Sequence, residues 1–550
     1  MFDFLKPKQS AVSPLVDNVE KKNSVTLIIL DGFGVHPDPE GNGVLNANTP
    51  FLDTAWTYGR STLVHASGTH VGLPAEEAGN SEVGHLNLGA GQVVYQSLPR
   101  INDAIENHEL DKNEVIKEMI TTVRKNGTRV HLVGILSPVG VHGHIKHLFA
   151  LLDICKASGI DPYIHVILDG RDAPPHDGYL YMNKLLEKMK ELRIGHIASI
   201  MGRFYGMDRD NRWERTKLAY DAMVGLAEDT FKDPVEAIQK AYTLGEDDQY
   251  FKPRMALKDD GLPVGVVKDG DAVLFWNFRE DRARQLTKVF VMNDFENFNR
   301  RNYPRNVYFA TMTGYEESLS AHVIFPPLPV KKSMAETIAD AGKTQFHISE
   351  TEKHMHVTYF FNGGVEAPHP GEVFFNIPSP KVDNYAVVPA MSAEIIRDET
   401  VNVLKNMQKR YYNFVLLNFA NPDMLGHTGD YKAVLAGNEI VDKCVADIAK
   451  ASLLAGSAVI ITADHGNCET MINRVTKEVD IAHTNNPVPL TILTDIEEIR
   501  PKAGTQLYKI GTGPMAKATG LLADISPTCL GILGEEIPAN MTGVDLRTML

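Results

Sequence analysis

Three short apolar segments constrain the fold of this chain most, because each is a continuous run of largely aliphatic residues that leads directly into polar side chains. The first segment, Ser24–Leu30, is followed by Asp31. The second, Tyr412–Ala420, is followed by Asn421 and Asp423, and the third, Ser457–Ala463, is followed by Asp464 and His465. Such runs are typical of strands buried on both faces of a parallel sheet. Ligands of open α/β sheets bind beyond the carboxyl ends of the strands. We therefore expect the three segments to converge on one site.

The middle of the chain carries a second set of apolar segments, most of them followed by histidine, arginine or aspartate. They are Thr128–Ser137 before His142 and His144, Tyr163–Gly170 before Arg171 and Asp172, His196–Gly202 before Arg203, Asp271–Phe278 before Arg279 and Arg282, and Asn306–Gly314. Amphipathic helical stretches such as Tyr179–Arg193 lie between them. This alternation of strand and helix predicts a second α/β domain.

The chain has 550 residues, which is too many for one ordinary core and predicts at least two domains. The segment Ile324–Lys332 holds three prolines and marks one boundary, since proline interrupts regular structure. The other boundary is placed near Gln96–Asn102, where Pro99 opens a helical stretch. These boundaries predict an N-terminal extension of residues 1–23, a discontinuous domain of residues 24–97 and 329–550, and an inserted domain of residues 98–328.

The overall charge and composition exclude several classes of protein. The net charge of −15 argues against a general nucleic-acid binder, which would present a basic surface. No apolar run reaches the length of a membrane span, and the N-terminus lacks the apolar core of a signal peptide. The four scattered cysteines predict buried thiols in a reducing compartment. We therefore expect a cytoplasmic protein without a membrane or nucleic-acid partner.

Six side chains near the ends of the first set of strands have the chemistry of metal ligands: Asp31, Asp423, His427, Asp464, His465 and His483. Asp423 and His427 are four residues apart, which places them on one face of a helical turn. Oxygen and nitrogen ligands without sulfur suit Mn²⁺, Zn²⁺ or Mg²⁺, and two such ions form a clamp for phosphoryl chemistry. Each residue also has a structural alternative, such as Asp423 as a helix N-cap or Asp464 in a turn.

Ser81 lies in the glycine-rich segment Glu76–Gly91, which has no lysine or arginine. The segment lacks both the G-x-S-x-G elbow of hydrolases and the G-K-[ST] ending of a P-loop. Since a serine hydroxyl needs a base or a metal to become nucleophilic, we predict a nucleophile activated by metal. The alternative is that Ser81 caps a helix beginning near Glu82 or simply makes a turn. We expect Gly79 and Gly84 to leave room for the metals and the substrate to approach Ser81.

The second set of strands supplies candidate anion-binding residues: Arg171, Arg203, Arg209, Arg279 and Arg282. Guanidinium groups bind carboxylate and phosphate through two parallel hydrogen bonds. Arg212 and Arg215 are interpreted as solvated surface charges. Asp172 either pairs with Arg171 or acts as the base for a substrate hydroxyl. Lys353, in an acidic and histidine-rich segment, is a candidate phosphate partner.

The motifs LDGFG, GNSEVGH, HGH, DGRD, GRFYGMDRDNRWER, NFREDRARQ, ETEKHMHVTYFFNGG, NPDMLGHTG and ADHGN occur in this order. From about Ser24 onward the chain resembles the cofactor-independent phosphoglycerate mutase family. The resemblance implies an α/β protein with a discontinuous alkaline phosphatase-like domain and an inserted second α/β domain. It also implies a monomer that isomerises 3-phosphoglycerate and 2-phosphoglycerate, with two Mn²⁺ or Mg²⁺ ions and no bisphosphoglycerate.

By motif position, the resemblance assigns roles to fifteen residues. One metal is held by Asp423, His427 and His483, and the other by Asp31, Ser81, Asp464 and His465. Ser81 is the residue phosphorylated during turnover. The phosphoglycerate is held by His142, Arg171, Asp172, Arg203, Arg209, Arg279, Arg282 and Lys353. Asp172 is the expected acid and base for the glycerate hydroxyls, Lys353 stabilises the transferring phosphoryl group, and domain closure at Ile324–Lys332 excludes water.

Two other functions remain open at this point. A phosphomonoesterase or a phosphopentomutase has the same metal core, although the inserted arginines argue against a plain phosphatase. A metal-dependent binding protein without activity is the second alternative, and the complete set of nucleophile and ligands argues against it.

Overall fold

The structure is a computed structural model that describes residues 24–327, 330–408, 411–494 and 506–548. The predicted extension of residues 1–23 and the boundary at Leu328 and Pro329 lie outside these described residues. The chain divides into two compact units. Within the described residues, the first unit comprises residues 24–96 and 330–548, and the second comprises residues 97–327.

The first unit contains eight strands and seven α-helices among its described residues. They are β1 (Val25–Leu30), α1 (Pro50–Tyr58), β2 (Arg60–His65) and α2 (Ser81–Ala90) before residue 97, and, after residue 329, α11 (Met334–Asp340), β11 (Gln345–Glu350), β12 (Glu372–Ile377), α12 (Ala393–Lys405), β13 (Phe414–Phe419), α13 (Asn421–Gly426), α14 (Tyr431–Leu454), β14 (Ala458–Thr462), β15 (Val488–Leu493), β16 (Ala518–Leu521) and α15 (Ile525–Leu533).

The sheet of the first unit has the order β12-β11-β13-β1-β14-β15-β2-β16. Its neighbouring strands are parallel except for β15, which is antiparallel to both β14 and β2. The central strands β13, β1 and β14 are completely buried, as expected for continuous apolar runs covered by helices on both faces. Leu30 pairs with Phe419 and Ile29 with Thr462, so the residues that follow these strands meet at one edge.

The second unit contains eight strands and eight α-helices among its described residues. They are α3 (Ser97–Glu106), α4 (Glu114–Asn126), β3 (Val130–Leu136), α5 (Ile145–Ala157), β4 (Tyr163–Leu168), α6 (Gly178–Leu192), β5 (His196–Gly202), α7 (Arg203–Gly206), α8 (Trp213–Met223), β6 (Thr230–Phe231), α9 (Pro234–Thr243), β7 (Arg254–Ala256), β8 (Ala272–Phe275), α10 (Glu280–Val291), β9 (Tyr308–Thr313) and β10 (His322–Phe325).

The sheet of the second unit has the order β10-β9-β8-β3-β4-β5-β7-β6, with β7 antiparallel to β5 and the other neighbours parallel. Buried aliphatic and aromatic residues form a core on each face of this sheet. The α/β class predicted from the sequence is confirmed. All four cysteines are buried and free, as predicted. No helix within the described residues is long and apolar enough to cross a membrane.

Asp442 on α14 joins the start of α1 to the core and provides a pH-dependent test of the fold. Its carboxylate accepts hydrogen bonds from the backbone N–H groups of Leu52 (2.8 Å) and Phe51 (3.2 Å), which have no partner within their own helix. Burial raises the pKa of Asp442 to about 6, although these hydrogen bonds oppose the change. The folded protein therefore keeps this proton to a higher pH than the unfolded chain does, because the pKa there is about 3.9.

We expect the free energy of unfolding to fall as the pH rises from about 4 to 6, since ionisation of Asp442 is less favourable in the folded state. Asp442→Asn removes this titration. Urea unfolding at several pH values should show the wild type losing up to about 3 kcal/mol relative to the variant across this window. Parallel pH profiles for the two proteins would contradict this prediction.

Candidate functional site

Two groups of potential metal ligands lie in the first unit, near the carboxyl ends of β1, β13 and β14. In each group the ligand atoms all lie within 4.8 Å of one another. The first cluster is Asp423, His427 and His483, and the second cluster is Asp31, Asp464 and His465. Asp31 follows β1 and Asp464 follows β14, while Asp423 lies in the first turn of α13. The structure thus brings together residues that are up to about 450 positions apart in the sequence, as the strand-end pattern predicts.

The first cluster has two imidazoles with ring nitrogens that face each other. His427 Nδ1 donates to the Ile481 carbonyl and His483 Nδ1 donates to the Gly79 carbonyl, both at 2.9 Å, because a carbonyl can only accept. Their Nε2 atoms therefore carry lone pairs when the rings are neutral, and they lie 2.9 Å apart. Each Nε2 is also 3.2 Å from Asp423 Oδ1. Three acceptor atoms this close together need a proton or a cation between them, and the carbonyl bonds orient the rings as in metal sites.

The second cluster is completely buried. His465 Nδ1 lies 3.2 Å from the Gly466 carbonyl, while its Nε2 faces Ser81 Oγ (3.0 Å), Asp31 Oδ1 (3.4 Å) and Asp464 Oδ2 (3.6 Å). Among the residues that the structure describes, buried Asp464 Oδ2 has no hydrogen-bond partner, although His85 Nδ1 lies 3.2 Å from it. Burial lowers the pKa of His465, but Asp464 and Asp31 outweigh this effect and raise it to about 10. A cation is thus strongly favoured at this position.

Ser81 is the first residue of α2, and the residue before it, Asn80, caps this helix. Asn80 is the N-cap, and its side chain accepts from the Val83 backbone N–H at 3.0 Å. The alternative that Ser81 caps this helix is therefore wrong. The side chain of Ser81 is free to point at the second cluster, where Oγ donates to Asp31 Oδ1 at 3.1 Å. A helix N-terminus also favours negative charge.

Lys353 is the buried cation that joins the two clusters. Its ammonium donates to Asp31 Oδ1 (2.7 Å), Asp423 Oδ2 (2.6 Å) and Ser81 Oγ (2.7 Å). Burial raises the pKa values of Asp31 and Asp423, but Lys353 and the nearby histidines hold both well below the usual range. Burial alone would lower the pKa of Lys353, but the carboxylates of Asp31, Asp423 and Asp464 raise it above its usual value.

The charge balance and donor chemistry of the clusters fit divalent cations. Asp31, Asp423 and Asp464 are each at most 2% exposed, so three buried carboxylates face the ammonium of Lys353. Without a metal, the second positive charge is the proton that the raised pKa of His465 retains. Buried charges need partners to offset desolvation. Carboxylate oxygens and imidazole nitrogens without sulfur suit hard or borderline divalent metals.

Gly79 and Gly84, the glycines near Ser81, lie very close to neighbouring backbone atoms. A Cβ atom on Gly84 would lie 2.6 Å from the backbone oxygen of Asp464, and one on Gly79 would meet the carbonyl of Ala66. The space that a side chain at either position would fill is therefore occupied by neighbouring protein atoms. The two glycines let the backbone of α2 and of the preceding loop pack closely against neighbouring backbone, which brings Ser81 and Asp464 together.

A second group of charged residues lies near the carboxyl ends of β3, β4, β5 and β8 in the second unit. Arg203 Nη1 donates to Asp169 Oδ1 (2.6 Å) and Asp172 Oδ2 (2.5 Å). His142 Nε2 lies 3.7 Å from Asp172 Oδ2, and its Nδ1 lies 3.5 Å from Asp281 Oδ1. Burial, and then Arg203, lower the pKa of His142 to about 4. His142 is therefore neutral near pH 7 and can donate and accept hydrogen bonds.

The predicted arginines lie near one another in this group. Burial lowers the pKa of Arg282, and the positive charges of Arg209, Arg203 and Arg171 lower it further, which indicates that these three lie near Arg282. Arg209 also pairs with Asp281 at 2.6 Å. Arg279 lies 3.4 Å from the same carboxylate. Such a cluster is suited to binding an anion.

Two interpretations of charged residues in the second unit need correction. Arg215 was expected to be a solvated surface charge, but it donates to Asp208 at 3.2 Å and lies over the Phe204 ring at 3.7 Å. Arg212 is exposed as expected. Asp172 is paired with Arg203, whereas the sequence suggested Arg171 as its structural partner.

Sequence reasoning missed several polar residues that support the predicted ones. Asn418 donates to Asp31 Oδ2 at 2.8 Å, and Asn467 donates to Asp423 Oδ1 at 3.0 Å. Asp169 and Asp281 orient Arg203 and Arg209 in the second unit. Asn418 had a detectable signal, because it is a polar residue inside an apolar strand and buried polar groups need partners.

Fold and site together define a two-unit α/β protein in which a buried serine lies beside two clusters that fit divalent metals. Residues 101–317 match the family model described as BPG-independent PGAM N-terminus. The chain is 42% identical over 530 residues to the 2,3-bisphosphoglycerate-independent phosphoglycerate mutase of Thermomicrobium roseum, covering 96% of this chain and 98% of that protein. The enzyme of the same name from Moorella thermoacetica is 44% identical over 521 residues, covering 94% and 97% of the two chains.

A crystal structure of Leishmania mexicana phosphoglycerate mutase, determined at low cobalt concentration, is similar with a TM-score of 0.60 and 32% identity. The match covers 96% of this chain and 98% of that one. The chain therefore belongs to the 2,3-bisphosphoglycerate-independent phosphoglycerate mutase family, and the resemblance found in its motifs is confirmed.

Proposed function

We propose that this chain interconverts 3-phosphoglycerate and 2-phosphoglycerate, without bisphosphoglycerate, through a phosphoserine at Ser81. The observation that carries the proposal is the position of Ser81 Oγ, which lies 2.7 Å from Lys353 Nζ and 3.0 Å from His465 Nε2. A hydroxyl beside a buried ammonium and a ligand cluster is suited to attack phosphorus. Family membership supports the same reaction.

The first cluster would hold one divalent ion, and the second cluster with Ser81 would hold the other. When bound, the two ions supply positive charge for the phosphoryl oxygens and lower the pKa of the serine hydroxyl. Mn²⁺ suits this mixture of carboxylate and imidazole, and Mg²⁺ is the alternative. The finer assignment to Mn²⁺ is part of the proposal.

The reaction needs two transfers that reverse each other. Ser81 acts as the alkoxide: its Oγ forms a bond to phosphorus while the bond from phosphorus to the glycerate oxygen breaks, and it leaves as the alkoxide again in the second transfer. Lys353 stabilises the charge on the phosphoryl oxygens. Asp172, oriented by Arg203, supplies a proton to the departing glycerate oxygen. The other glycerate hydroxyl then returns a proton to Asp172 and accepts the phosphoryl group from Ser81.

The second unit is proposed to be the inserted domain that binds the glycerate. Its arginine cluster suits the carboxylate and phosphate of the substrate, with His142 as a neutral hydrogen-bonding partner. The residues proposed for this role are His142, Arg171, Asp172, Arg203, Arg209, Arg279 and Arg282. Predictions that the protein is a cytoplasmic monomer without membrane or nucleic-acid partners stay predictions.

One assay separates the proposed mutase from a phosphatase and from a binding protein. The protein is incubated with Mn²⁺ and 3-phosphoglycerate without bisphosphoglycerate, and both 2-phosphoglycerate and free phosphate are followed. We expect 2-phosphoglycerate with little free phosphate. Release of phosphate alone would overturn the proposal, and so would the absence of any reaction.

Chelation and pH provide a test of the proposed metals. Removal of metal with EDTA should abolish activity, and added Mn²⁺ should restore it. Activity should fall between about pH 7 and pH 5, because imidazole ligands must be neutral to bind metal. Higher Mn²⁺ concentrations should move this acid limb to lower pH, since the metal competes with protons. If the limb does not move, loss of metal is not its cause.

A further inference from the structure

Glu469 is a fully buried carboxylate that lies among three of the segments that carry the proposed metal ligands. Its Oε2 accepts the backbone N–H groups of Gly34 (3.1 Å) and Asn467 (2.9 Å). Its Oε1 accepts the side-chain amide of Asn486 (2.8 Å) and the hydroxyl of Thr484. Neither the motif pattern nor the proposed mechanism uses this residue.

The four partners of Glu469 have one feature in common, which is that each donates a hydrogen bond. Only an ionised carboxylate has acceptor sites for all of them. A glutamine of the same shape would turn an NH₂ group toward donors and leave buried polar groups unpaired, which is costly. Position 469 therefore requires a carboxylate, because a glutamine would fill the same space but could not accept all four hydrogen bonds.

The donors belong to segments that carry ligands of both clusters. Gly34 is three residues after Asp31, and Thr484 directly follows His483. Asn467 is two residues after His465, and its side chain donates to Asp423 Oδ1 at 3.0 Å. Through these contacts Glu469 connects all four segments from which the clusters are built.

The surrounding glycines show how closely the segments pack on this carboxylate. A Cβ atom on Gly34 would overlap the Glu469 carboxylate, and one on Gly466 would lie 2.6 Å from Glu469 Oε1. Neither glycine has a positive φ angle, so their backbone conformations do not require glycine. Their small size instead permits the close approach to Glu469.

We propose that Glu469 is a positioning residue that sets the spacing between the two clusters, so that both metal sites form together. This inference rests on the proposed metal-dependent function. It predicts that loss of the carboxylate weakens both sites at once, whereas loss of a ligand would act first on the site to which that ligand belongs.

The test compares Mn²⁺ binding by metal-free wild type and Glu469→Gln, with free Mn²⁺ measured by electron paramagnetic resonance. We expect the wild type to bind two ions, and we expect the variant to bind both about 10–100-fold more weakly, the range seen when residues that orient metal ligands are lost. The Mn²⁺ concentration for half-maximal activity should rise in parallel. The KM for phosphoglycerate at saturating Mn²⁺ should change little.

Glu372→Gln is the matched control. Glu372 is also a buried carboxylate of the first unit, and it accepts from the Asn362 side chain (3.1 and 3.0 Å) and the His369 N–H (2.7 Å). Neither of these two donors, the Asn362 side chain and the His369 backbone, belongs to either cluster. This variant should lose stability while it keeps the Mn²⁺ affinity of the wild type. Equal weakening in both variants would overturn the inference, because the effect would then be general.

If Glu469→Gln fails to fold, a second variant tests the same inference. Gly34→Ala displaces the carboxylate without changing a charge, and it should also weaken both sites. Gly314→Ala is its control, since the nearest atom to the added Cβ is 3.7 Å away. Wild-type affinity in Glu469→Gln or Gly34→Ala would refute the inference. Failure of the wild type itself to bind two ions would instead refute the proposed function.

Discussion

Replacement of Ser81 by alanine should lower kcat by about 10⁴-fold or more, which is the scale on which loss of a nucleophile acts. Ser81 Oγ contacts Asp31, His465 and Lys353, and no other described hydroxyl shares these contacts. Alanine is a good helix former, so α2 should persist because its cap is Asn80. The loss should therefore be chemical rather than structural.

Two measurements check this prediction. The first is the rate of 2-phosphoglycerate formation, and the second is mass spectrometry of quenched enzyme for a phosphorylated peptide that contains Ser81. Ser452→Ala is the matched control, because Ser452 is also fully buried in the first unit but donates to Thr26 at 2.9 Å, away from both clusters. A Ser81→Ala protein that isomerises substrate at the wild-type rate would rule out the phosphoserine mechanism.

Replacement of Lys353 by methionine should have the largest effect on stability when metal is absent. In EDTA we expect a loss of about 3–5 kcal/mol in the free energy of unfolding, the cost of leaving buried charges without their partner. Asp31 and Asp423 have depressed pKa values because of Lys353, although burial opposes this. Their stabilising contribution is present above about pH 4 and is lost as the pH falls. The difference between wild type and variant should therefore shrink in acid.

Urea unfolding in EDTA, with and without excess Mn²⁺, measures this effect. Bound Mn²⁺ should restore part of the lost stability, because a ligand that binds only the folded state stabilises it. Lys332→Met is the control, since Lys332 forms a largely exposed pair with Asp340 at 2.9 Å and should cost less than about 1 kcal/mol. Equal losses in the two variants would show that Lys353 is not the counter-charge of the clusters.

The strands and their order along the chain follow from local pattern. Each predicted strand from Thr128–Ser137 to Asn306–Gly314 contains an observed one, with ends that differ by at most three residues. Continuous apolar runs favour buried parallel strands wherever they occur, so this part of the fold needs no knowledge of distant contacts. The same pattern placed Asp31, Asp423 and Asp464 at one edge, because parallel strands end on the same side.

Contacts within the site depended on how distant segments pack. Three features of the site involve atoms from separate segments. They are the position of Ser81 at the start of its helix, the facing Nε2 atoms of His427 and His483, and the position of Lys353 between two carboxylates. Asn418 and Glu469 carry no motif of their own, so their roles appear only when their neighbours are known. Hydrogen bonding is directional and short, and sequence spacing does not specify it.

The sequence by itself determined the α/β class, the family and the residue types that are proposed to hold two metals and a phosphoglycerate. These depend on apolar periodicity and on motifs that are local in the chain. Only the tertiary structure decided which atoms face one another. It placed Gly79 and Gly84 against neighbouring backbone, and it placed the Glu469 carboxylate among three ligand segments, with the fourth reached through the Asn467 side chain. The reason is physical, because close packing and hydrogen bonds join residues that are hundreds of positions apart.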